Sequence, residues 1–292
     1  MNHMTDHIIF ATNFSDACHA AIPTVTRWVD AHNARLTLLH VYDPEKTLHR
    51  DAEGQLNSFY AEADNYSNCR RVLLTGDPCD SIEDFCAKEV DGLLFMPPSD
   101  RTGLPRPFHV STRARLLQNL EMPIWTMGKA TLNTSAAVAG NNIAVCVQNL
   151  DEPTDYVYAA ASHAQRHGAT LHLMHVVPET SEGTLITALH SNAPLGVETA
   201  LDMLSDLAAS LPGSVKIQVH VRMGSQWREL KTMLRKSGAE LLMVGSGQTL
   251  HSSFFRPAIN PMLNNCEIPI ICLPERMGVR SWRAQTSRLV VA

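Results

Sequence analysis

The chain reads HIIFATNFSD at residues 7–16 and NIAVCVQNLD at residues 142–151, each a short apolar run that ends near an Asn. Four further segments recur in the same order. They are RLTLLHVYDP (35–44) and TLHLMHVVPE (170–179), VLLTGDP (72–78) and HVRMGSQ (220–226), DGLLFMPP (91–98) and ELLMVGSG (240–247), and MPIWTMGK (122–129) and IPIICLPE (268–275). A repeat of this size indicates two copies of one domain.

The spacing between matching residues changes along the repeat. Asn13 and Asn149 are 149 − 13 = 136 residues apart, whereas Gly76 and Gly224 are 224 − 76 = 148 apart. About a dozen residues were therefore gained between the second and third strands, where a loop or surface helix tolerates insertion.

Short apolar runs alternate with amphipathic stretches, which predicts an α/β fold with a parallel sheet covered by helices. The predicted strands are 7–12, 35–42, 70–75, 91–96 and 123–127 in the first copy, and 142–147, 170–177, 215–222, 240–244 and 269–273 in the second. We expect domains at 1–129 and 141–275, a linker at 130–140 and a tail at 276–292.

Composition limits the class of protein. The 292 residues are 45% hydrophobic, enough for two cores, and no apolar stretch is long enough to cross a membrane. We therefore expect a soluble cytoplasmic protein without a transmembrane segment. The net charge of −5 and the lack of basic runs argue against nucleic-acid binding. The seven cysteines contain no C-x-x-C pair and are interpreted as reduced core thiols.

The order of the motifs, with RLTLLHVYDP at the second strand, resembles the universal stress protein family, and the chain looks like a tandem member. The resemblance covers about residues 5–128 and 141–275. It implies an open sheet of the adenine nucleotide alpha hydrolase-like group with strand order 3-2-1-4-5 in each domain. It also implies that the two domains form a pseudo-symmetric pair through their last strands, which leaves room for a homodimer and for regulatory protein partners.

Nucleotide-binding members of the family carry an Asp at the end of the first strand and a loop G-x-x-G, nine residues, G-[ST] after the fourth. In the first copy, Asn13 stands at the Asp position, the loop reads Met96-Pro97-Pro98-Ser99-Asp100, and the later pair falls on Val110 and Ser111. Prolines lack the N–H groups that cradle phosphate, so we expect no ATP there in the family manner.

The second copy keeps more of the pattern. Gln148 and Asn149 stand where the Asp is expected, and Gly245-Ser246-Gly247 follows the fourth strand. Gln248 replaces the second glycine, and Arg256 lies near the later pair. These residues form a candidate nucleotide or anion site, so that ATP is a cofactor candidate in this copy only. The alternative is a tight turn that needs small residues.

The histidines raise the question of a metal site, because His163 and His167 share one helix face. No further ligand is placed beside them, and His172 and His175 point to opposite faces of their strand. We interpret the helix histidines as solvated, expect no metal, and interpret His40 and His175, at matching places in the two copies, as buried and hydrogen-bonded.

Three classes of function remain. The favoured one is a non-enzymatic stress-response binding or regulatory protein. The second is a carrier of an apolar or amphipathic ligand in the degenerate cleft, suggested by the residues Phe95, Met96, Leu104, Phe108, Phe254 and Phe255. The third is an enzyme of the nucleotide alpha hydrolase group, but the sequence contains neither S-G-G-x-D-S nor H-x-G-H, and no catalytic residue is assigned.

Overall fold

The computed structural model describes residues 6–89, 92–98, 112–128, 140–150, 155–179, 196–245, 262 and 265–274. The contacts divide the chain into unit 1, from residues 1–138 and 263–274, and unit 2, from residues 139–262 and 275–292. Each unit holds one copy of the repeat, except that the last strand of the second copy lies in unit 1. The domain limits expected at residues 129, 140 and 275 stay a prediction.

Strands and helices alternate along the described part of the chain. The strands are β1 (His7–Ala11), β2 (Arg35–Tyr42), β3 (Cys69–Thr75), β4 (Gly92–Phe95), β5 (Ile124–Thr126), β6 (Asn142–Cys146), β7 (Thr170–Val177), β8 (Lys216–Met223), β9 (Leu241–Gly245) and β10 (Ile270–Leu273). The helices are α1 (Asp16–His32), α2 (His49–Ser58), α3 (Pro78–Cys86), α4 (Thr112–Asn119), α5 (Asp155–His167), α6 (Val197–Ser210) and α7 (Gln226–Ser237), with a 3-10 turn at Ala61–Asn65. This alternation is the βα pattern that the sequence predicts.

Unit 1 is built on a sheet with the strand order β3-β2-β1-β4-β5-β10. The first five strands are parallel. Their order confirms the 3-2-1-4-5 arrangement, in which β1 and β4 are neighbours and the order reverses between them.

Unit 2 repeats the first four strands of that arrangement. Its strands lie in the order β9-β6-β7-β8, and all pairings are parallel. The point of reversal therefore lies between β6 and β9, and β8 is paired with β7.

Strand β10 is placed differently from a simple duplication. The sequence predicts it as the fifth strand of the second copy, whereas the contacts group it with unit 1. There it runs antiparallel to β5, with Ile271 opposite Trp125. Both strands are apolar and fully buried, so that the pairing covers an edge that would otherwise be open to association. The expectation that the two last strands pair within one chain is confirmed.

Helix α1 shows how local sequence sets the elements. Its buried residues recur at helical spacing and are Ala17, Cys18, Ala21, Thr24, Val25, Trp28 and Val29. The helix ends at Asn33, which adopts a left-handed conformation, and α5 ends in the same way before Gly168 at φ 63°. No helix in the described part of the chain is long and apolar enough to span a bilayer.

The hydrogen bonds define how the two copies correspond. The N–H of Thr12 donates to the C=O of Leu39 at 2.9 Å, and that of Val147 donates to the C=O of Met174 at 2.8 Å. The offset is 147 − 12 = 135 for the first strand and 174 − 39 = 135 for the second. In this register Asn13 corresponds to Gln148. The sequence alignment of Asn13 with Asn149 is therefore wrong by one residue, because it followed residue identity instead of strand pairing.

The core of unit 1 is centred on aromatic side chains. Phe95 on β4 stacks on Trp125 with ring centroids 4.5 Å apart, and Trp28 on α1 meets Phe95 edge-on at 5.6 Å. All three side chains are fully buried. The helix and the last strands of the sheet are thereby packed through one aromatic layer.

Replacing Ile271 by Ala is expected to lower the free energy of unfolding by about 2–5 kcal/mol, because a buried side chain is lost and a cavity remains beside Trp125. Tryptophan fluorescence during denaturant unfolding measures the change. Leu201→Ala on α6 is the matched control, since Leu201 is 42% exposed and its loss should cost within about 0.5 kcal/mol. Equal losses in both variants would contradict the placement of β10 in the core of unit 1.

Candidate functional site

Open parallel sheets bind ligands at the carboxyl ends of their strands, where the strand order reverses. In unit 2 this point lies between β6 and β9, which pair directly. Gln148 and Asn149 follow β6, and Gly245 is the last residue of β9. The structure therefore brings these three predicted residues to one edge of the sheet. The other predicted residues, Ser246, Gly247 and Arg256, lie outside the described residues.

Asn13, at the end of β1 in unit 1, is engaged in local bonds. Its Oδ1 accepts the N–H of Ser15 at 3.2 Å and the S–H of Cys18 at 3.2 Å. Both donors belong to the start of α1, which begins at Asp16. Asn13 thus satisfies groups at a helix start, as Asx residues commonly do.

Gln148, its counterpart in unit 2, differs. The side chain is half-buried, and its Oε1 is buried without a hydrogen-bond partner in the described part of the chain. This amide oxygen can accept a hydrogen bond from a ligand at the end of β6.

Tyr156, near the start of α5, occupies the space against the ends of β6 and β9. The side chain is 1% exposed, and its O–H donates to the C=O of Cys146 at 3.0 Å. Its ring lies so close to Gly245 that a Cβ there would be 2.9 Å from two ring carbons. Gly245 is therefore required by the approach of this ring. Its lack of a side chain has a packing cause that does not depend on a phosphate.

At the corresponding positions of unit 1, the larger residue follows the fourth strand and the smaller residue lies on the helix. Strands β4 and β9 correspond at an offset of 241 − 93 = 148 through their pairing with β1 and β6. Pro97 therefore stands where unit 2 has Gly245, and Ala21, at an offset of 156 − 21 = 135, stands where it has Tyr156. Pro97 and Pro98 are both buried and offer no N–H after β4.

His40 and His175 make the same bond in both units. Nδ1–H of His40 donates to the C=O of Thr12, and that of His175 donates to the C=O of Val147, each at 2.8 Å. Burial lowers the pKa of both imidazoles. Both rings thus carry the proton on Nδ1, and the predicted hydrogen bonds are confirmed; His175 is buried as predicted, whereas His40 is half-buried.

Phe14 is a residue of this edge that sequence reasoning missed. It has a φ of 60°, an unusual value for an aromatic residue. Its ring lies 4.2 Å from that of His40 and 5.6 Å from that of Phe59, between ring centroids. The sequence signal was present, because Phe14 follows directly after the Asp position of the family.

The two helix histidines considered for metal binding lie close together, with ring centroids of His163 and His167 4.5 Å apart. His163 is 1% exposed, so its interpretation as a solvated residue is wrong. It corresponds to the buried Trp28 (163 − 28 = 135), on the face of the helix that meets the sheet.

Another group of potential metal ligands in the described residues is Asp77, Cys79 and Asp80. Asp77 caps α3 by accepting the N–H groups of Cys79 and Asp80. Arg115 pairs with both carboxylates, at 3.1 Å and 2.8 Å. These groups are those of a capped helix tied to α4, and we assign no metal to them.

The apolar-ligand hypothesis gains little from the residues that suggested it. Phe95 belongs to the aromatic core beside Trp125, and Met96 is half-buried. The other residues, Leu104, Phe108, Phe254 and Phe255, lie outside the described residues. The cysteines are free, and all but the half-buried Cys69 are buried, which confirms their interpretation as core thiols.

Comparison with known proteins finds a family match for the second copy of the repeat. Residues 140–274 match the model of the Universal stress protein family. A universal stress protein from Archaeoglobus fulgidus DSM 4304 has a TM-score of 0.69 to this chain at 11% identity, covering 94% of this chain and 98% of that one. A functionally unknown protein from Pseudomonas aeruginosa PAO1 has a TM-score of 0.63 at 15% identity, covering 98% and 99%. No curated protein matches the chain. The likeness to solved structures shows that both copies share this fold.

Gly245→Ala is expected to cost about 1–3 kcal/mol of stability, because the added methyl group meets the ring of Tyr156. In a Tyr156→Ala background the same change should cost much less, a coupling of at least about 1 kcal/mol in a double-mutant cycle. Gly213→Ala is the control, since a Cβ there would meet nothing within 4 Å. Additive effects at residues 156 and 245 would contradict the contact.

Asn13 provides a second test of a structural role. Asn13→Ala should cost about 1 kcal/mol, because the start of α1 loses its acceptor. Asn13→Asp should be neutral or slightly stabilising, since a carboxylate accepts the same bonds and favours the helix start. Thermal unfolding of both variants measures this, and a destabilising Asp would show that the local bonds are not what Asn13 supplies.

Proposed function

We propose that the chain, of which residues 140–274 match the model of the Universal stress protein family, is a stress-response binding or regulatory protein that is not an enzyme. The family's nucleotide site is lost in the first copy and blocked in the second. The protein acts through regulatory protein partners, as a cytoplasmic protein able to form homodimers. The family match of residues 140–274 supports the regulatory role, and the residues at the carboxyl ends of the strands in both units support the loss of the site.

The position of Tyr156 carries this proposal. A nucleotide held in the family manner needs space and backbone donors at the ends of β6 and β9. Tyr156 fills that place, with its O–H bonded to the C=O of Cys146 and its ring against Gly245.

In unit 1 the loss has a different cause. The chain after β4 continues through Pro97 and Pro98, both buried, and proline supplies no N–H for a phosphate. Asn13 is engaged with the start of α1. The edge therefore lacks both the carboxylate and the donors that the family pattern uses for a nucleotide.

The titratable groups of these edges support a protein without catalysis. His40 and His175 each commit Nδ1 to a backbone carbonyl. Burial raises the pKa of Cys146 to about 12, so that its thiol stays protonated at neutral pH. A nucleophile activated by a neighbouring base is the usual sign of covalent catalysis, and the described residues of these edges show no such pair.

Calorimetric titration with ATP and Mg²⁺ tests the proposal. The wild-type protein should show no binding heat at about 1 mM ATP, and Tyr156→Ala should be the variant that gains any binding, because it reopens the edge. Tyr158→Ala, on the same helix but half-buried, is the matched control. Micromolar binding by the wild type would overturn the blocked site, and release of AMP or ADP would overturn the non-enzymatic assignment.

A further inference from the structure

Three side chains form a hydrogen-bonded chain across neighbouring strands of unit 2. Nδ1 of His172 on β7 lies 2.9 Å from Nε2 of His220 on β8. Nε2 of His172 lies 3.0 Å from Oδ1 of Asn142 at the start of β6. His172 is 2% exposed, and His220 is half-buried.

The acceptor at one end fixes the protons of this chain. Oδ1 of Asn142 can only accept, so Nε2 of His172 carries a hydrogen. The neutral ring of His172 then presents a lone pair at Nδ1. His220 must donate its Nε2–H to that lone pair, and both tautomers are determined.

The rings meet nitrogen to nitrogen. Their centroids are 5.2 Å apart, much further than the 2.9 Å between the two nitrogens. This is the arrangement of a shared proton. Two lone pairs that converge on a metal ion would instead aim at a point beside the line between the nitrogens.

The surroundings favour the uncharged pair. Burial first, and then the charges of His220 and Lys216, lower the pKa of His172 to about 4. Burial also lowers the pKa of His220. Among the described residues no carboxylate bonds to either ring, so that protonation adds positive charge beside Lys216 without compensation.

Two protons have different consequences. The first can enter at Nδ1 of His220, which leaves its Nε2–H donated to His172. The second must enter at Nδ1 of His172, which places two N–H groups face to face and removes the acceptor. The hydrogen bond is then replaced by repulsion between two cations.

The strand that carries His220 is the less firmly held of the two. Within unit 2, β8 pairs with β7 over eight residue pairs, from Thr170 and Lys216 to Val177 and Met223. Its residues are half-buried or exposed, whereas those of β7 are almost all buried. Strands with few buried residues open at a lower free energy than strands in the core.

We propose that the His172–His220 pair is an acid-sensitive latch, which holds β8 on β7 while the pair shares one proton between its rings and releases β8 when both rings are protonated. The latch is confined to unit 2. In unit 1 the corresponding residues are His7 and Thr37, where Thr37 Oγ1 bonds Nε2 of His7 and accepts Nε–H of Arg70, each at 2.8 Å.

Unit 1 lacks the latch because a permanently charged side chain ends its hydrogen-bonded chain. Arg70 stays protonated and pairs with Glu89, and Nδ1 of His7 lies 3.3 Å from the same carboxylate. Burial and Arg35 lower the pKa of His7 to about 4. Protonation of His7 faces an acid instead of a second imidazole, and so it does not set two like groups against each other.

Hydrogen exchange of the full-length protein tests the latch. Amide protection in β7 and β8, corrected for intrinsic exchange rates, should fall between about pH 7 and about pH 4 by at least tenfold more in the wild type than in His220→Gln. In His220→Gln this extra loss should disappear, because the amide can donate to a neutral His172 or accept from a protonated one. His19→Gln, at an exposed histidine of unit 1, should keep the wild-type response.

Each other outcome counts against the latch. No loss down to about pH 4, or the same loss in His220→Gln, would overturn it. If His220→Gln does not fold, the imidazole resonances of the wild type decide. Two separate titration steps for His172 and His220, with exchange of β8 rising at the second, support the latch, and a single independent step overturns it.

Discussion

The first strand of each copy is buried on both faces between two parallel neighbours, and the rest of the fold depends on this. Strand β1 pairs with β2 and β4, and β6 pairs with β7 and β9. Their middle residues are almost completely buried. A polar side chain in such a strand needs its own partner, which is easiest to supply at the strand ends. The polar contacts described above therefore lie mainly at the amino and carboxyl ends of the strands, called here the amino edge and the carboxyl edge of each sheet.

At both edges the duplicated backbone is kept while the side-chain contacts are exchanged. At the amino edge, His7 bonds Thr37 in one unit, and Asn142 bonds His172 in the other. The histidine has moved from the first strand to the second. A hydrogen bond between neighbouring strands survives such an exchange, because donor and acceptor need only remain opposite each other.

At the carboxyl ends of the strands, the two units differ in the same way in the size of their side chains. Unit 2 combines a large residue, Tyr156, with Gly245, whereas unit 1 has Ala21 and Pro97 at these positions. Interiors are close-packed, so one large side chain requires a small one against it. Changes at these positions are therefore expected to be coupled.

Much of the fold could be predicted from the sequence, since apolar runs and the repeat mark the strands, and the family resemblance supplies their order. The site could not. The one-residue error at Asn149 arose because residue identity is a weaker guide than strand pairing. Gly245 was predicted to serve an anion site or a tight turn, and its contact with Tyr156 was missed, although the offset of 135 sets Tyr156 against an alanine. His163 was misjudged because helix periodicity does not say which polar residue faces the sheet.

The pairing of β5 with β10 joins a strand that is synthesised early to one that is synthesised late. Strand β5 ends at Thr126 and its partner begins at Ile270, so 270 − 126 = 144 residues separate the two. The ribosome adds roughly 5–20 residues per second, so β10 is synthesised about 7–30 s after β5. Until then β5 lacks its antiparallel partner. During that time the nascent first unit has an incomplete sheet, which a chaperone or a neighbouring nascent chain can recognise. The order of translation thus makes unit 1, which holds the first copy, the last unit to be completed.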